Sequence, residues 1–205
     1  MTLEIVILAA GQGTRMQSSL PKVLHAVGGK PLLEHVIQTA QELNPSAVHV
    51  VIGYGGQQVQ DALPQYDIHW VVQAQQLGTG HAVMQALPAI ADDSVVLVLY
   101  GDVPLTRLST LRQLVARAQE GPALLTATLR NPHGYGRILR DQAGALTGVV
   151  EEKDASAEQR QLQEINTGLL AAPARDLKTY LPRVDNQNQQ GEYYLPDILR
   201  LAVAN

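Results

Sequence analysis

The stretch Leu3-Glu4-Ile5-Val6-Ile7-Leu8-Ala9-Ala10-Gly11-Gln12-Gly13-Thr14-Arg15-Met16 decides the fold, because an apolar run leads directly into a glycine-rich turn. The run Leu3–Ala9 predicts a buried β-strand. Glycines in the turn let backbone N–H groups approach a phosphate closely. The turn lacks the Gly-Lys-Ser/Thr of a P-loop, and Met16 replaces the third glycine of the dinucleotide fingerprint. An ordinary strand-to-helix turn is the alternative, but the nearby cations Arg15 and Lys22 favour phosphate binding.

Outward from this stretch, apolar runs alternate with helical patterns, and the pattern becomes less regular after Leu129. Continuous apolar strands between helices indicate an α/β fold with a parallel sheet covered on both faces. In the later part we predict a charged helix over Ala155–Gln163, a strand over Asn166–Ala171 and a helix over Tyr194–Val203. We therefore predict one domain over residues 1–205, with a nucleotide-binding half (1–120) and a second half (121–205). The further predicted strands of the regular part are Val48–Gly53, Ile68–Val72, Val95–Tyr100 and Ala123–Leu129.

The composition excludes several classes of protein. The chain has 205 residues, of which 45% are hydrophobic and 17% charged, as in a globular protein. It contains no Cys, which excludes disulfides, thiolate metal sites and cysteine nucleophiles. A net charge of −4 argues against binding of nucleic acid or of an anionic membrane, and the apolar runs are too short to span a bilayer. We expect a cytoplasmic protein.

Two further segments follow predicted strands and carry candidate ligand-binding groups. Asp102 comes directly after the apolar run Val95–Tyr100, where a carboxylate is well placed to hold a divalent metal beside a triphosphate. A helix-capping Asp is the alternative. Gln73, followed by Leu77–His81, offers both a donor and an acceptor to the edge of a pyrimidine such as uracil. Taken by itself, that segment is better explained as a loop whose Thr79 caps a helix.

The second half holds three segments rich in neutral hydrogen-bonding groups and carboxylates, which suit a polyhydroxylated ligand such as a sugar. Individually, each such segment is more often a turn or a solvated charge cluster. The segments are Asn131–Ile138, Glu151–Asp154 and Glu164–Gly168.

Taken together, the motifs resemble the sugar-1-phosphate nucleotidylyltransferase family. They are most similar to the N-terminal uridylyltransferase domain of bacterial bifunctional N-acetylglucosamine-1-phosphate uridylyltransferases, and the resemblance covers essentially the whole chain. Its most specific parts are Gln76–His81 and Glu164–Gly168. The matching segments are Leu8–Met16 with Pro21-Lys22, Gln73, Gln76–Ala82, Gly101–Leu105, Gly134–Ile138, Glu151–Ala155, Glu164–Gly168 and Gly191–Tyr194.

The resemblance implies a Rossmann-like three-layer fold with a mostly parallel mixed central sheet, of the nucleotide-diphospho-sugar transferase type. It also implies uridylyl transfer from UTP to N-acetylglucosamine-1-phosphate, giving UDP-N-acetylglucosamine and pyrophosphate. Arg15 and Lys22 would hold phosphates, and Asp102 would hold Mg²⁺. The implied substrate-binding residues are Leu8, Ala10, Gly11, Gly13, Gln73, Gly78, Thr79, Tyr100, Gly136, Glu151 and Asn166.

The sequence departs from the family pattern in two respects. Pro196 stands where the family usually has Thr, and proline is tolerated in the first turn of a helix. The resemblance implies a second magnesium ligand, an Asn that would lie beyond residue 205. The family's acetyltransferase half, which carries the homotrimer contacts, would also lie beyond residue 205. Two alternatives stay open: a nucleotidylyltransferase that uses dTTP or CTP, and a non-catalytic module that binds a nucleotide sugar.

Overall fold

The computed structural model describes residues 1–11, 13, 16 and 18–204. Within these residues the chain forms ten β-strands and six α-helices. The strands are β1 (Leu3–Ala9), β2 (Ala26–Val27), β3 (Lys30–Pro31), β4 (Ala47–Ile52), β5 (His69–Val72), β6 (Val95–Tyr100), β7 (Ala123–Thr128), β8 (Arg137–Arg140), β9 (Leu146–Val150) and β10 (Glu164–Pro173). The helices are α1 (Leu32–Gln41), α2 (Gly56–Ala62), α3 (Thr79–Ala86), α4 (Leu108–Arg117), α5 (Ala174–Tyr180) and α6 (Asp197–Val203).

The central sheet is mixed, with the strand order β5-β4-β1-β6-β10-β8-β9 and with β7 paired to β10. Strands β5, β4, β1 and β6 are parallel, and Ile5 of β1 lies between Val48 of β4 and Leu97 of β6. Strand β10 is antiparallel to β6, β7 and β8. The Rossmann-like α/β fold predicted from the sequence is confirmed.

Helices cover both faces of the sheet, because alternate side chains of its central strand point to opposite sides. Ile5 and Ile7 belong to the core shared with α1, α2 and α4. Val6 and Leu8 belong to the core shared with α3, α5 and α6. The resulting three layers bury β1 on both faces, which explains why its sequence is apolar from Ile5 to Ala9.

Three predicted elements differ from those observed. The charged helix over Ala155–Gln163 is wrong: the structure forms only a 3₁₀ turn at Gln159–Gln161, where no residue is buried to hold a longer helix. The predicted strand Asn166–Ala171 is longer, because β10 extends on both sides to pair with β7 and β6. The last helix begins at Asp197 instead of Tyr194, directly after Pro196.

The carboxyl ends of the parallel strands point to one edge of the sheet. The N–H of Gly101, after β6, donates to the carbonyl of Leu8, and the N–H of Gln73, after β5, donates to Ile52. The segment after β6 is therefore held beside the end of β1, and the segment after β5 beside the end of β4, all at the same edge of the sheet. No helix in the described part of the chain is long and apolar enough to cross a membrane.

Candidate active site

A cavity of about 340 Å³ opens at the carboxyl ends of the parallel strands. This is the edge at which open α/β sheets bind ligands, and the volume is in the range of small-molecule sites. Its lining is contributed by the segments after β1, β5 and β6 and by part of the chain before α6. The lining residues are Leu8, Ala9, Ala10, Gly11, Gly13, Lys22, Val23, Gln73, Gln76, Gly78, Thr79, Ala82, Tyr100, Asp102 and Glu192.

Most of the site residues predicted from the sequence meet at this cavity. Arg15 lies outside the described residues. Gly136, Glu151 and Asn166 do not line the cavity and form a neighbouring cluster. The predicted residues found on the wall are Leu8, Ala10, Gly11, Gly13, Lys22, Gln73, Gly78, Thr79, Tyr100 and Asp102.

A cation and a carboxylate meet at the wall of the cavity. Nζ of Lys22 lies 2.5 Å from Oδ2 of Asp102, and their side chains are 36% and 26% exposed. The buried side chains of Val23 and Leu24 fix the 3₁₀ turn that begins at Lys22. Gly13, at a φ of +61°, lets the turn after β1 approach Lys22, because an added Cβ would lie 2.7 Å from the Cβ of Lys22. Glycine-rich backbone, a cation and a carboxylate thus share one wall.

Gln73 is held with its carboxamide in a defined orientation. The residue is only 3% exposed, and its Nε2 donates to the carbonyl of Gly78 over 3.2 Å. The same nitrogen lies 2.9 Å from Nδ1 of His81. Since a carbonyl only accepts hydrogen bonds, the atom that faces Gly78 must be the amide nitrogen of Gln73. The carboxamide oxygen, Oε1, therefore points away from Gly78.

The segment that follows Gln73 is fastened to the chain before α6. The N–H of Gly80 donates to the carbonyl of Tyr193, and the N–H of Tyr193 donates to Leu77, each over 2.8 Å. Oγ1 of Thr79 accepts from the N–H of Leu195 over 3.0 Å. The expected capping role of Thr79 is therefore wrong: Gly78 occupies the position before α3, and the Thr79 hydroxyl serves this distant contact. We name the paired stretches Leu77–Gly80 and Tyr193–Leu195 the clamp.

Sequence reasoning assigned no role to Glu192 and Gln76, which also line the cavity. Glu192 belongs to the Gly191–Tyr194 motif, which signalled the resemblance but carried no chemical argument of its own. Its position beside the cavity follows from the clamp, which joins segments more than a hundred residues apart. The Gly191–Tyr194 motif was the only hint of Glu192 in the sequence. The hydrogen bonds that place Glu192 at the cavity join distant segments and cannot be recognised from a local pattern.

Gly136, Glu151 and Asn166 form a second cluster next to Tyr100. The N–H of Asn166 donates to the carbonyl of Gly136 over 2.9 Å, and a Cβ on Gly136 would lie 2.9 Å from Oε1 of Glu151. Burial, with the negative charge of Asp197, raises the pKa of Glu151, and a hydrogen bond with Asn166 opposes the shift. Burial and the charge of Glu151 raise the pKa of the Tyr100 phenol. Because Tyr100 also lines the cavity, the two groups of residues are continuous.

Comparison with known proteins identifies the family. The model of the MobA-like NTP transferase domain matches residues 5–170. The chain belongs to the MobA-like NTP transferase domain family. This confirms the nucleotidyltransferase family that the sequence resemblance predicted.

Curated relatives of this NTP transferase domain include two proteins named Bifunctional protein GlmU. The one from Alkalilimnicola ehrlichii is 60% identical over 203 residues, which are 99% of this chain and 44% of the relative. The one from Marinobacter nauticus is 58% identical over 202 residues, 98% of this chain and 44% of the relative. The NTP transferase chain thus spans less than half the length of these relatives.

Among solved structures, UDP-glucose pyrophosphorylase complexed with UDP-glucose has the same fold as this NTP transferase domain. The TM-score is 0.81, with 18% identity, over 100% of this chain and 88% of that chain. The structure of the apo form of UDP-glucose pyrophosphorylase gives a TM-score of 0.79 at 18% identity, over 98% of this chain and 87% of that chain.

Proposed function

We propose that the chain transfers the uridylyl group of UTP to N-acetylglucosamine-1-phosphate, giving UDP-N-acetylglucosamine and pyrophosphate. The observation that carries the proposal is the shared cavity, on whose wall the glycine-rich turn, the Lys22–Asp102 pair and the Gln73–Thr79 segment meet. The similarity of nearly the whole chain to proteins named Bifunctional protein GlmU supports the same conclusion.

The reaction makes few chemical demands on the protein. A phosphate oxygen of the sugar phosphate attacks the α-phosphorus of UTP, and the bond from that phosphorus to pyrophosphate breaks. The nucleophile needs no general base, because a phosphate monoester with a second pKa of about 6 is already largely anionic at neutral pH. The difficulty is the approach of one anion to another, which cations and oriented N–H groups relieve. Lys22 supplies positive charge at the cavity, and we assign Arg15 to the departing pyrophosphate.

The donor set suits a metal that arrives with the nucleotide. Among the described residues no group of three or more His, Cys, Asp or Glu side chains is arranged to hold a metal ion. Mg²⁺ is commonly held by one or two carboxylates together with substrate phosphates and water, and Asp102 provides one such carboxylate at the cavity. Asp102 is therefore the residue that we propose holds Mg²⁺. When bound, the metal would neutralise the charge that develops on the phosphates.

Gln73 gives the cavity a preference for uracil over cytosine. Its Nε2 faces Gly78 and His81, so Oε1 is the end that remains for a base. In the part of the chain that the structure describes, Oε1 has no hydrogen-bond partner. An acceptor suits the N3–H of uracil or thymine and opposes N3 of cytosine, which is itself an acceptor. Gly78 and Thr79 complete the proposed uridine site.

The second cluster is the proposed sugar site. Gly136 and Asn166 provide main-chain and amide groups, and Glu151 provides a carboxylate for a sugar hydroxyl or amide N–H. We accordingly propose that residues 1–120 bind the nucleotide and residues 121–205 the sugar phosphate. The proposed substrates are cytoplasmic metabolites, and trimer assembly is proposed only for longer proteins of the family.

A comparison of three nucleotides tests the function. We expect pyrophosphate release from N-acetylglucosamine-1-phosphate and UTP in the presence of Mg²⁺, with lower kcat/KM for dTTP and CTP. A higher kcat/KM with dTTP or CTP would assign a different nucleotidylyltransferase. Tight binding of UDP-N-acetylglucosamine by calorimetry, without pyrophosphate release from any nucleotide, would instead indicate a non-catalytic module.

Replacement of Gln73 by Leu should weaken the preference for UTP. The variant keeps the volume but removes the acceptor, so the ratio of kcat/KM for UTP to that for CTP should fall by about tenfold or more. Gln75→Leu is the matched control, because Gln75 is exposed, two residues away and outside the cavity wall. An unchanged ratio in Gln73→Leu would show that another group selects the base.

A further inference from the structure

Arg137 has a buried guanidinium for which the proposed reaction gives no direct use. The residue begins β8 and is 1% exposed, and it is the largest fully buried side chain among the described residues. Burial of a charged group is costly unless its hydrogen bonds are satisfied. The contacts of the guanidinium therefore indicate what the residue does.

Four acceptors from three separate segments surround the guanidinium. Nη1 donates to the carbonyl of Tyr135, and Nε donates to the carbonyl of Leu162 over 3.0 Å. Nη2 donates to the carbonyl of Arg160 over 3.3 Å and lies 2.8 Å from Oε2 of Glu152. A planar group with five N–H donors can join acceptors in such different directions, and an ammonium group cannot do so equally well.

Glu152 extends this network to the turn before β8. The N–H of Gly134 donates to Oε2 of Glu152 over 3.2 Å, and Nε of Arg160 donates to the carbonyl of Glu152 over 3.2 Å. The turn at Gly134, the segment at Glu152 and the segment from Arg160 to Leu162 are thus fastened to one buried side chain.

Arg137 and its partners are linked to each residue of the second cluster, two of them through a chain neighbour and the third through the sheet. Gly136 is the neighbour of Arg137, and Glu151 is the neighbour of Glu152. Ile165, next to Asn166, is paired in the sheet with Arg137 itself. A shift of the segment that carries Gly136 or of the one that carries Glu151 would change the distance between these two residues, which leaves no room even for a Cβ on Gly136.

We propose that Arg137 is the positioning residue of the sugar-phosphate site, holding Gly136, Glu151 and Asn166 in the arrangement that binds the sugar. The inference rests on the proposed function, because it takes that cluster as the sugar site. It does not involve the clamp or the Lys22–Asp102 pair, which lie in other segments. Loss of the guanidinium should therefore weaken binding of the sugar phosphate and leave binding of the nucleotide unchanged.

Steady-state kinetics of Arg137→Lys, with each substrate varied in turn, test this proposal. Lysine keeps the charge but cannot reach all four acceptors, so KM for N-acetylglucosamine-1-phosphate should rise by about tenfold or more. KM for UTP should change by less than about twofold. Arg140→Lys is the matched control on the same strand: its side chain is 42% exposed and pairs with Glu164. In that variant both KM values should stay within about twofold of wild type, since an exposed pair contributes little.

A second variant keeps the test decisive if Arg137→Lys does not fold. Glu152→Gln removes only the charge of a partner that is 21% exposed, and it should raise KM for the sugar phosphate in the same direction by a smaller factor. Calorimetric titration of all three variants with UTP and with UDP-N-acetylglucosamine gives the same comparison without turnover. Equal changes for both substrates, or no change for either, would overturn the positioning role. Inactivity of the wild-type chain would count against the proposed function, and the titrations would still decide the role of Arg137.

Discussion

Asp102→Asn is expected to reduce Mg²⁺-dependent pyrophosphate release by about a hundredfold or more, the usual cost of removing a group that stabilises transition-state charge. Asparagine has nearly the same shape, but it lacks the negative charge that holds a cation. The loss should appear in kcat/KM at saturating Mg²⁺ and should not be recovered by more metal. The measurement is turnover of UTP with N-acetylglucosamine-1-phosphate over a range of Mg²⁺ concentrations.

The ion pair with Lys22 makes a second readout possible. When Asp102 becomes neutral, the ammonium of Lys22 loses its partner at 2.5 Å and becomes freer to meet a phosphate. UTP binding without metal should consequently be no weaker in Asp102→Asn than in wild type, although turnover is lost. Asp67→Asn, at an exposed carboxylate remote from the cavity, controls for the change in net charge. Full Mg²⁺-dependent activity in Asp102→Asn would contradict the metal assignment.

The first half of the fold could be predicted because its signals are local. Ile5–Ala9 is apolar at every position, as expected of a strand that is buried on both faces. Gly13 and Asp102 follow strands whose parallel arrangement brings their ends together. Knowledge of the strands and their order is therefore enough to place the glycine-rich turn and Asp102 at the same edge of the sheet.

The second half could not be predicted equally well, because its elements depend on distant partners. Ala155–Gln163 has the composition of a helix, but after Ala155 none of its residues is buried, so no packed face stabilises a helix and only the turn at Gln159–Gln161 forms. Arg137 looks like an ordinary polar residue at the start of a strand, and its burial follows from three carbonyls and a carboxylate contributed by three separate segments. The hydrogen bonds that fasten Tyr193 to the segment after Gln73 leave no periodic signal in the sequence.

Gly78→Ala is expected to separate the two stretches of the clamp. Gly78 has a φ of +106°, a conformation that costs other residues about 1–3 kcal/mol. An added Cβ would also lie 2.7 Å from the carbonyl oxygen of Tyr193 and 2.8 Å from its nitrogen, so backbone must move. That movement weakens the hydrogen bonds that join Tyr193 to Leu77 and Gly80, each worth about 1 kcal/mol. The free energy of unfolding should fall by about 3 kcal/mol in all.

The same substitution should weaken UTP binding more than the loss of stability alone explains. The carbonyl of Gly78 fixes the amide of Gln73, so a displaced backbone leaves that amide free to turn its donor toward the base. Gly28→Ala is the control: its φ is +58°, but no atom lies within 4 Å of an added Cβ, so it carries the conformational cost without the clash. Urea unfolding and UTP titration of both variants separate the two contributions. If Gly78→Ala proved as stable as Gly28→Ala and bound UTP as tightly as wild type, the clamp would have room to yield, and orientation of Gln73 would have to come from His81 instead.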